Sequence, residues 1–158
     1  QDTKIFQGTI SENIAYGKPT ASIEEIKQAS KLAFADSFIE KLPDGYDTYI
    51  SNSDMLSEGE VQLLNIARIM LIKPPILILD EATSNIDLLT EDMIKKAILE
   101  LTSNSTSIII AHRLSTIKNC DFIVFIENGN IVEVGTHDEL IDKKGAYYNM
   151  YKSQFNII

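Results

Sequence analysis

Two acidic residues follow an apolar run near the middle of the chain. Asp80 and Glu81 come directly after residues 76–79, and such a run is typical of a strand buried on both faces of a parallel sheet. The acids are therefore predicted at the carboxyl end of a strand, where open α/β sheets bind their ligands. There, Asp80 could hold Mg²⁺ through water and Glu81 could polarise an attacking water. A solvated strand end or a helix cap is an equally good interpretation of the pair alone.

A histidine occupies the same position after the next apolar run. His112 follows residues 108–111, which are also predicted to form a strand. A single histidine at a strand end is more often a hydrogen-bonded structural residue than a catalytic one. Two strands that place polar groups at one edge of a sheet nevertheless favour a functional site at that edge.

The third candidate is the predicted start of a helix. Ser57 and Glu60 have the spacing of a capping box, and the small residue Gly59 lies between them. The N–H groups at such a helix start suit a phosphate. Glu58 and Glu60 would repel a phosphate, however, so a capped helix is the better interpretation of these four residues alone.

The elements around these candidates predict an α/β fold. A helix from about Leu88 to Leu101 separates the two apolar runs, and the order strand, helix, strand predicts a right-handed parallel crossover. Upstream, Ser22 and Glu25 predict the start of a helix, and residues 35–41 predict a short second one. The helix that begins near Ser57 is expected to end before Pro74 and Pro75.

The last 40 residues predict a hairpin and two helices. Residues 121–126 and 131–134 flank Asn128 and Gly129, a pair of residues that is a strong signal for a two-residue turn. Thr136 and Glu139 have capping-box spacing. The aromatic residues from Tyr147 onward predict a closing helix.

Composition excludes several functional classes. The formal net charge is −9 and the pI is about 4.6, which argues against a general affinity for nucleic acid or anionic lipid. The single cysteine, Cys120, excludes an internal disulfide and favours a reducing compartment. No apolar run approaches the ~20 residues that cross a bilayer. Because the first residue is Gln1 and not Met, we expect the domain to continue upstream.

Six segments taken together resemble the nucleotide-binding domain of ABC exporters. They are residues 1–14, 42–47, 56–60, 76–82, 84–87 and 111–115. Gly145, Tyr147 and Gln154 also resemble the closing helix of that family, so the resemblance spans nearly the whole chain. It implies a partial P-loop NTPase fold of the ABC ATPase type, with a mostly parallel sheet and an α-helical subdomain. Residues 9–73 would form the helical subdomain with the signature motif, and residues 74–158 the C-terminal half of the RecA-like core.

The resemblance also implies catalytic roles. Gln1 is similar to the Q-loop glutamine, which contacts Mg²⁺ and the attacking water. Asp80 resembles the Walker B aspartate that binds the metal, and Glu81 resembles the general base. His112 matches the switch histidine that contacts the γ-phosphate. The implied ligands are ATP and Mg²⁺.

Three further residues are similar to family positions at a dimer interface. Asp87 resembles the D-loop aspartate, and Ser57 and Gly59 resemble signature residues that reach the ATP held by a partner domain. The implied partners are a second nucleotide-binding domain, in a homodimer or heterodimer, and the transmembrane domain of the same transporter. No nucleic acid is expected. The implied location is the cytoplasmic face of the cell membrane.

This sequence departs from the family pattern in two ways. No G-x-x-x-x-G-K-[ST] occurs in the 158 residues, so we expect the P-loop to lie upstream of Gln1 and the chain by itself not to hydrolyse ATP. The signature, usually Leu-Ser-Gly-Gly-Gln, carries Glu58 and Glu60. A carboxylate ~5 Å from a phosphate oxygen costs on the order of 3 kcal/mol at an effective dielectric of 20. This degenerate signature predicts one half of an asymmetric heterodimer, with a homodimer of two slow sites as the alternative.

Two other functions fit parts of the sequence. One is a regulatory ABC module that binds nucleotide without useful turnover, and the other is a soluble ABC ATPase that acts on DNA or ribosomes. Residues 8–14 and the closing-helix pattern favour an exporter over the latter. Without the P-loop strand and helix on the sheet, we also expect exposed apolar surface and self-association.

Overall fold

The computed structural model describes residues 4–80, 87–103, 105–110 and 117–155. The chain is an α/β protein, and contacts divide it into two compact units, residues 1–108 and 109–158. A boundary between residues 73 and 74 stays a prediction. The described elements are β1 (Gly8–Thr9), α1 (Ile10–Ala15), α2 (Ile23–Leu32), α3 (Asp36–Ile39), a 3₁₀ turn (Gly45–Asp47), β2 (Tyr49–Ile50), a second 3₁₀ turn (Ser53–Met55), α4 (Glu58–Ile72), β3 (Ile76–Asp80), α5 (Leu88–Thr102), β4 (Thr106–Ile110), β5 (Ile123–Glu127), β6 (Asn130–Gly135), α6 (His137–Lys143) and α7 (Ala146–Phe155).

Helices α2, α3 and α4 of the first unit form close to where the sequence predicts them. Ser22 caps α2, with its Oγ accepting from the Glu25 N–H at 3.3 Å and its own N–H donating to the Glu25 carboxylate at 2.8 Å. Helix α4 ends with Lys73 in the left-handed conformation, at φ 53°. Pro74 follows and cannot continue the helix. The predicted short helix after residue 35 is confirmed as α3.

Helix α1 and the short strands β1 and β2 were not predicted from the sequence. Thr9 caps α1 through a capping box with Glu12, and the residue before it, Gly8, has a positive φ of 144°. Strand β1 pairs antiparallel with β2, so that Gly8 lies opposite Ile50. This short ladder joins the start of α1 to the segment that precedes α4.

The core of the first unit surrounds α4, which packs against α1, α2 and α5. Ile10, Ile14 and Leu64 are fully buried there. Leu77 of β3 and Ile94 of α5 belong to the same cluster. Most of the buried apolar surface in this unit therefore lies between helices.

Strand β3 is covered on one side and open on the other. It is confirmed as a strand and neighbours β4. Leu77 is 6% exposed, whereas Ile76 and Ile78 are 64% and 65% exposed. The expected burial on both faces is therefore wrong for this chain. Successive side chains of a strand point to opposite faces, and in the part of the chain that the structure describes only the Leu77 side joins the core cluster.

The second unit is a hairpin with two helices on one face. Strands β5 and β6 pair antiparallel, and Asn128 and Gly129 have the positive φ angles, 48° and 76°, of a tight two-residue turn. The predicted hairpin is confirmed. Helix α6 begins at the predicted capping box of Thr136 and Glu139, and α7 is the predicted closing helix.

The two faces of the hairpin differ in their surroundings. Ile123 on the inner face forms a small core with Leu140 and Tyr147. The outer face is apolar and exposed over four side chains that lie opposite each other in pairs, Val124 with Val134 and Ile126 with Ile131. The expected exposed apolar surface is confirmed, and self-association stays a prediction. Among the described residues, no helix combines the length and hydropathy that crossing a bilayer requires.

Candidate functional site

The structure describes four of the seven candidate residues. Ser57 and Gly59 share the first turn of α4, whereas Asp80 ends β3 and Asp87 precedes α5. Gln1, Glu81 and His112 lie outside the described residues, so their predicted roles stay predictions. The described candidates all belong to the first unit.

The first turn of α4 is a closed capping box. Ser57 Oγ accepts a hydrogen bond from the Glu60 N–H at 3.3 Å. The Glu60 carboxylate accepts from the Ser57 N–H at 2.8 Å and from the Ser57 hydroxyl at 2.9 Å. Gly59 is buried between them. One carboxylate oxygen therefore receives both donors of Ser57.

This arrangement fits a phosphate poorly. The Ser57 hydroxyl already donates to Glu60, so it would have to exchange this bond to donate to a phosphate oxygen. The carboxylates of Glu58 and Glu60 lie in the same first turn. There they interact favourably with the helix dipole but would repel a bound anion. The N–H groups of Glu58 and Gly59, which have no partner within a helix, are the donors that this turn offers.

The two described aspartates have different surroundings. Asp87 caps α5, and its Oδ1 accepts from the N–H groups of Leu89 at 3.1 Å and Thr90 at 3.0 Å. Hydrogen bonds from Thr90 hold the pKa of Asp87 below its usual value. Asp80 is an exposed carboxylate at the end of β3, and oxygen donors of this kind suit Mg²⁺. Within the described ranges, no three His, Cys, Asp or Glu residues are grouped as metal ligands.

A buried polar contact lies between α1 and the segment that precedes it. Asn13 is 2% exposed. Its Oδ1 accepts from the Phe6 N–H at 2.9 Å, and its Nδ2 donates to the carbonyl oxygens of Phe6 at 2.9 Å and Thr9 at 3.0 Å. The side-chain amide therefore closes residues 6–13 into a compact loop.

Arg68, in the C-terminal half of α4, binds the same loop. Its Nε donates to the Asn13 carbonyl at 2.9 Å, and its Nη1 donates to Asn65 Oδ1 at 2.8 Å and to the Lys4 carbonyl at 3.4 Å. Nη2 is buried, with no hydrogen-bond partner in the described part of the chain. Burial lowers the pKa of Arg68, which still leaves the guanidinium protonated at neutral pH.

Neither Asn13 nor Arg68 was predicted from the sequence as part of a site. The spacing of Thr9 and Glu12 is a capping box that would have revealed α1. No comparable signal marks Arg68, because its carbonyl partners lie 55 and 64 positions away in sequence.

Comparison with known proteins gives three consistent similarities. The ABC transporter family model matches residues 1–84. The ABC transporter ATP-binding protein YfiC of Bacillus subtilis (strain 168) is 54% identical over 156 residues, which is 98% of this chain and 26% of YfiC. A putative multidrug export ATP-binding/permease protein of Staphylococcus aureus (strain NCTC 8325 / PS 47) is 54% identical over 155 residues, 98% of this chain and 27% of that protein.

A solved structure is similar in fold as well as in sequence. It is that of a bacterial Atm1-family ABC exporter with ATP bound, with a TM-score of 0.85 and 42% sequence identity. The match covers 98% of this chain and 27% of that one. The chain thus spans about a quarter of the length of the relatives that it matches.

Proposed function

Because this chain belongs to the ABC transporter family, we propose that it forms the latter part of the ATP-hydrolysing domain of an exporter. The observation that carries this proposal is 54% identity, over 98% of the chain, to a putative multidrug export ATP-binding/permease protein. The longer relatives support two partners, a transmembrane domain of the same transporter and a second nucleotide-binding domain. The domain would then lie at the cytoplasmic face of the membrane.

The reaction is the hydrolysis of ATP to ADP and phosphate. Water attacks the γ-phosphorus, and the bond to the oxygen that bridges the β- and γ-phosphorus breaks. Glu81 accepts the proton of the water, while Gln1 orients the water and His112 donates a hydrogen bond to the γ-phosphate. Asp80 would hold Mg²⁺, which would supply neutralisation of the charge on the phosphates. Positioning and charge neutralisation account for most of the catalysis in phosphoryl transfer.

The first turn of α4, which corresponds to the signature motif, is less well suited to contact ATP than the usual signature. Its Ser57 hydroxyl is bonded to Glu60, and two carboxylates lie in the turn. These observations support an asymmetric dimer, in which Glu81 and His112 serve a site completed by the partner's signature. The turn at Ser57 and Gly59 would face the weaker site, and Asp87 would lie at the interface between the domains.

The test is the ATPase activity of the full-length transporter with Glu81→Gln, assembled with its partner. Loss of a general base lowers a rate by roughly 10²–10⁴-fold, so we expect kcat to fall by about 100-fold or more. Glu127→Gln is the matched control, because it makes the same substitution at an exposed glutamate at the end of β5. It should leave kcat unchanged. An unchanged rate in Glu81→Gln would exclude Glu81 as the base, and an inactive wild-type protein would contradict the enzymatic function.

A further inference from the structure

We propose that Arg68 is a positioning residue that fixes the segment around Lys4 to α4. The effect on ATP hydrolysis rests on the proposed function, whereas the fixation itself rests only on contacts within the first unit. Helix α4 carries Ser57 and Gly59 in its first turn. Lys4 is three positions from Gln1 in sequence. A single side chain therefore connects the two stretches that bear these candidate residues.

The hydrogen bonds of Arg68 explain why an arginine is required. Nε and Nη1 donate in different directions, to the carbonyl of Asn13 and to the carbonyl of Lys4. Nη1 also donates to Asn65 on the preceding turn of α4, which holds the guanidinium in place. A planar guanidinium presents such donors in a fixed fork, and a lysine ammonium does not. Lysine at this position would keep the charge and lose the simultaneous contacts.

A stacked pair of aromatic rings next to Arg68 strengthens the same contact. Phe6 and Tyr16 stack with their ring centroids 4.2 Å apart and their planes 15° from parallel. The guanidinium carbon of Arg68 lies 5.5 Å from the Phe6 centroid and 5.8 Å from the Tyr16 centroid. Distances below about 6 Å are those of favourable cation–π contacts. The cation therefore holds the residues before and after α1 together.

Asn13 transmits this fixation along the backbone. Its main-chain carbonyl binds Arg68, while its side-chain amide binds both the N–H and the carbonyl of Phe6. The amide is buried, so breaking these bonds without replacement is costly. Release of Arg68 would remove the hydrogen bond to the Lys4 carbonyl and leave this segment held by the bonds of Asn13 to Phe6, the stacking of Phe6 on Tyr16 and the packing of Ile5 against the core. The backbone at Lys4 would then be less firmly fixed relative to α4.

The first experiment is a double-mutant cycle between Arg68 and Gln1 in the full-length transporter. Because small misplacements of positioned groups cost large factors in rate, we expect Arg68→Lys to lower kcat by about tenfold. The KM for ATP should change by less than about twofold, since positioning of the water affects the chemical step more than binding. In the Gln1→Ala background, Arg68→Lys should lower kcat by less than about twofold, since the positioned group is already absent.

Multiplicative losses in the cycle would overturn the positioning role, because they would show that the two residues act independently. Lys27→Gln is the matched control. Lys27 lies on α2, and its Nζ is 5.6 Å from the centre of the Tyr46 ring. Removing this cation should leave kcat and KM unchanged. Failure of Arg68→Lys to fold would also contradict the proposal, since it would make the residue a general determinant of stability.

The second experiment measures how firmly the segment around Lys4 is fixed, without an activity assay. Hydrogen exchange is measured by mass spectrometry on the full-length wild-type protein and on Arg68→Lys. We expect at least about tenfold faster exchange in peptides covering residues 4–16, where local opening would expose the backbone, and unchanged exchange in α2. Equal exchange in residues 4–16 would overturn the fixation. An inactive wild-type transporter would instead contradict the proposed function. The exchange measurement would still test whether Arg68 fixes residues 4–16.

Discussion

The two sides of strand β3 carry the same kinds of side chain in opposite surroundings. Leu77 is 6% exposed and belongs to the core cluster around α4 and α5. Ile76 and Ile78, its neighbours in sequence, are 64% and 65% exposed. Strand β5 repeats the contrast, with Phe125 edge-on to Tyr147 at 6.3 Å and Val124 51% exposed.

In β3 and β5, therefore, one side of the strand should contribute more to the stability of the chain than the other. Apolar surface stabilises a fold in proportion to the area removed from water. The open sides retain most of their area in contact with water. An equally apolar residue should therefore contribute much or little depending on the side of the strand on which it lies.

The difference between the two sides of β3 can be tested by truncating neighbouring residues on opposite sides of the strand. Leu77→Ala leaves a cavity in the core, and such changes cost about 2–5 kcal/mol of unfolding free energy. Ile78→Ala removes a side chain from the open face and should cost less than about 1 kcal/mol, mostly through strand propensity. Urea denaturation of the 158-residue chain measures both values. Equal losses would show that the open face is covered in solution.

Local signals were enough to predict most of the elements. Capping-box spacing identified the starts of α2, α4 and α6, and each box is present with both of its hydrogen bonds. Asn128 and Gly129 identified the turn of the hairpin, because both adopt the positive φ angles that this turn requires. These signals work because the interacting residues lie within a few positions of each other.

Two properties could not be predicted from local patterns. An uninterrupted apolar run gives no information about which face a neighbouring element covers, so the open face of Ile76 and Ile78 was missed. The contacts of Arg68 with Asn13 and Lys4 join distant parts of the sequence. The family resemblance identified the candidate site, but the closed capping box of Ser57 and Glu60 needed coordinates to show which bonds the hydroxyl makes.

A smaller loss of unfolding free energy is expected for a substitution on the covered side of the hairpin. Tyr147 is fully buried, and its hydroxyl shares a hydrogen bond with His137 Nδ1 at 2.9 Å. Tyr147→Phe leaves the buried imidazole nitrogen without this partner, which costs about 1–2 kcal/mol of unfolding free energy. Tyr148→Phe is the matched control, because its ring is only partly buried and would keep its contact with Lys152. A loss in Tyr148→Phe as large as that in Tyr147→Phe would argue against this hydrogen bond as the cause.

The same tyrosine gives a pH dependence of defined sign. Burial raises the pKa of Tyr147 above its ordinary value of 10.0, so the unfolded chain releases this proton at a lower pH than the folded chain does. The contribution of Tyr147 is therefore complete below pH 10 and is lost as the pH rises through the folded-state pKa. The stability difference between wild type and Tyr147→Phe should shrink above pH 10. A difference that stays constant up to pH 11.5 would contradict this assignment.

The smallest change in stability is expected on the open face of the hairpin. Val124 lies opposite Val134 and is half exposed, so Val124→Lys should change the unfolding free energy by no more than about 0.5 kcal/mol. The charge would nevertheless interrupt an apolar patch that also contains Ile126 and Ile131, and contiguous patches of this kind promote association. We therefore expect the 158-residue chain to bind a hydrophobic dye and to self-associate, and Val124→Lys to reduce both.

The control for this last change is Asn130→Lys, which adds the same charge to an exposed position at the start of β6. It should leave dye binding and the mass from light scattering unchanged, because it removes no apolar side chain. If both variants lower association equally, net charge and not the apolar face is the cause. If the wild-type chain is monomeric and binds no dye, the open face does not drive association, and the contrast between the two faces is confined to stability.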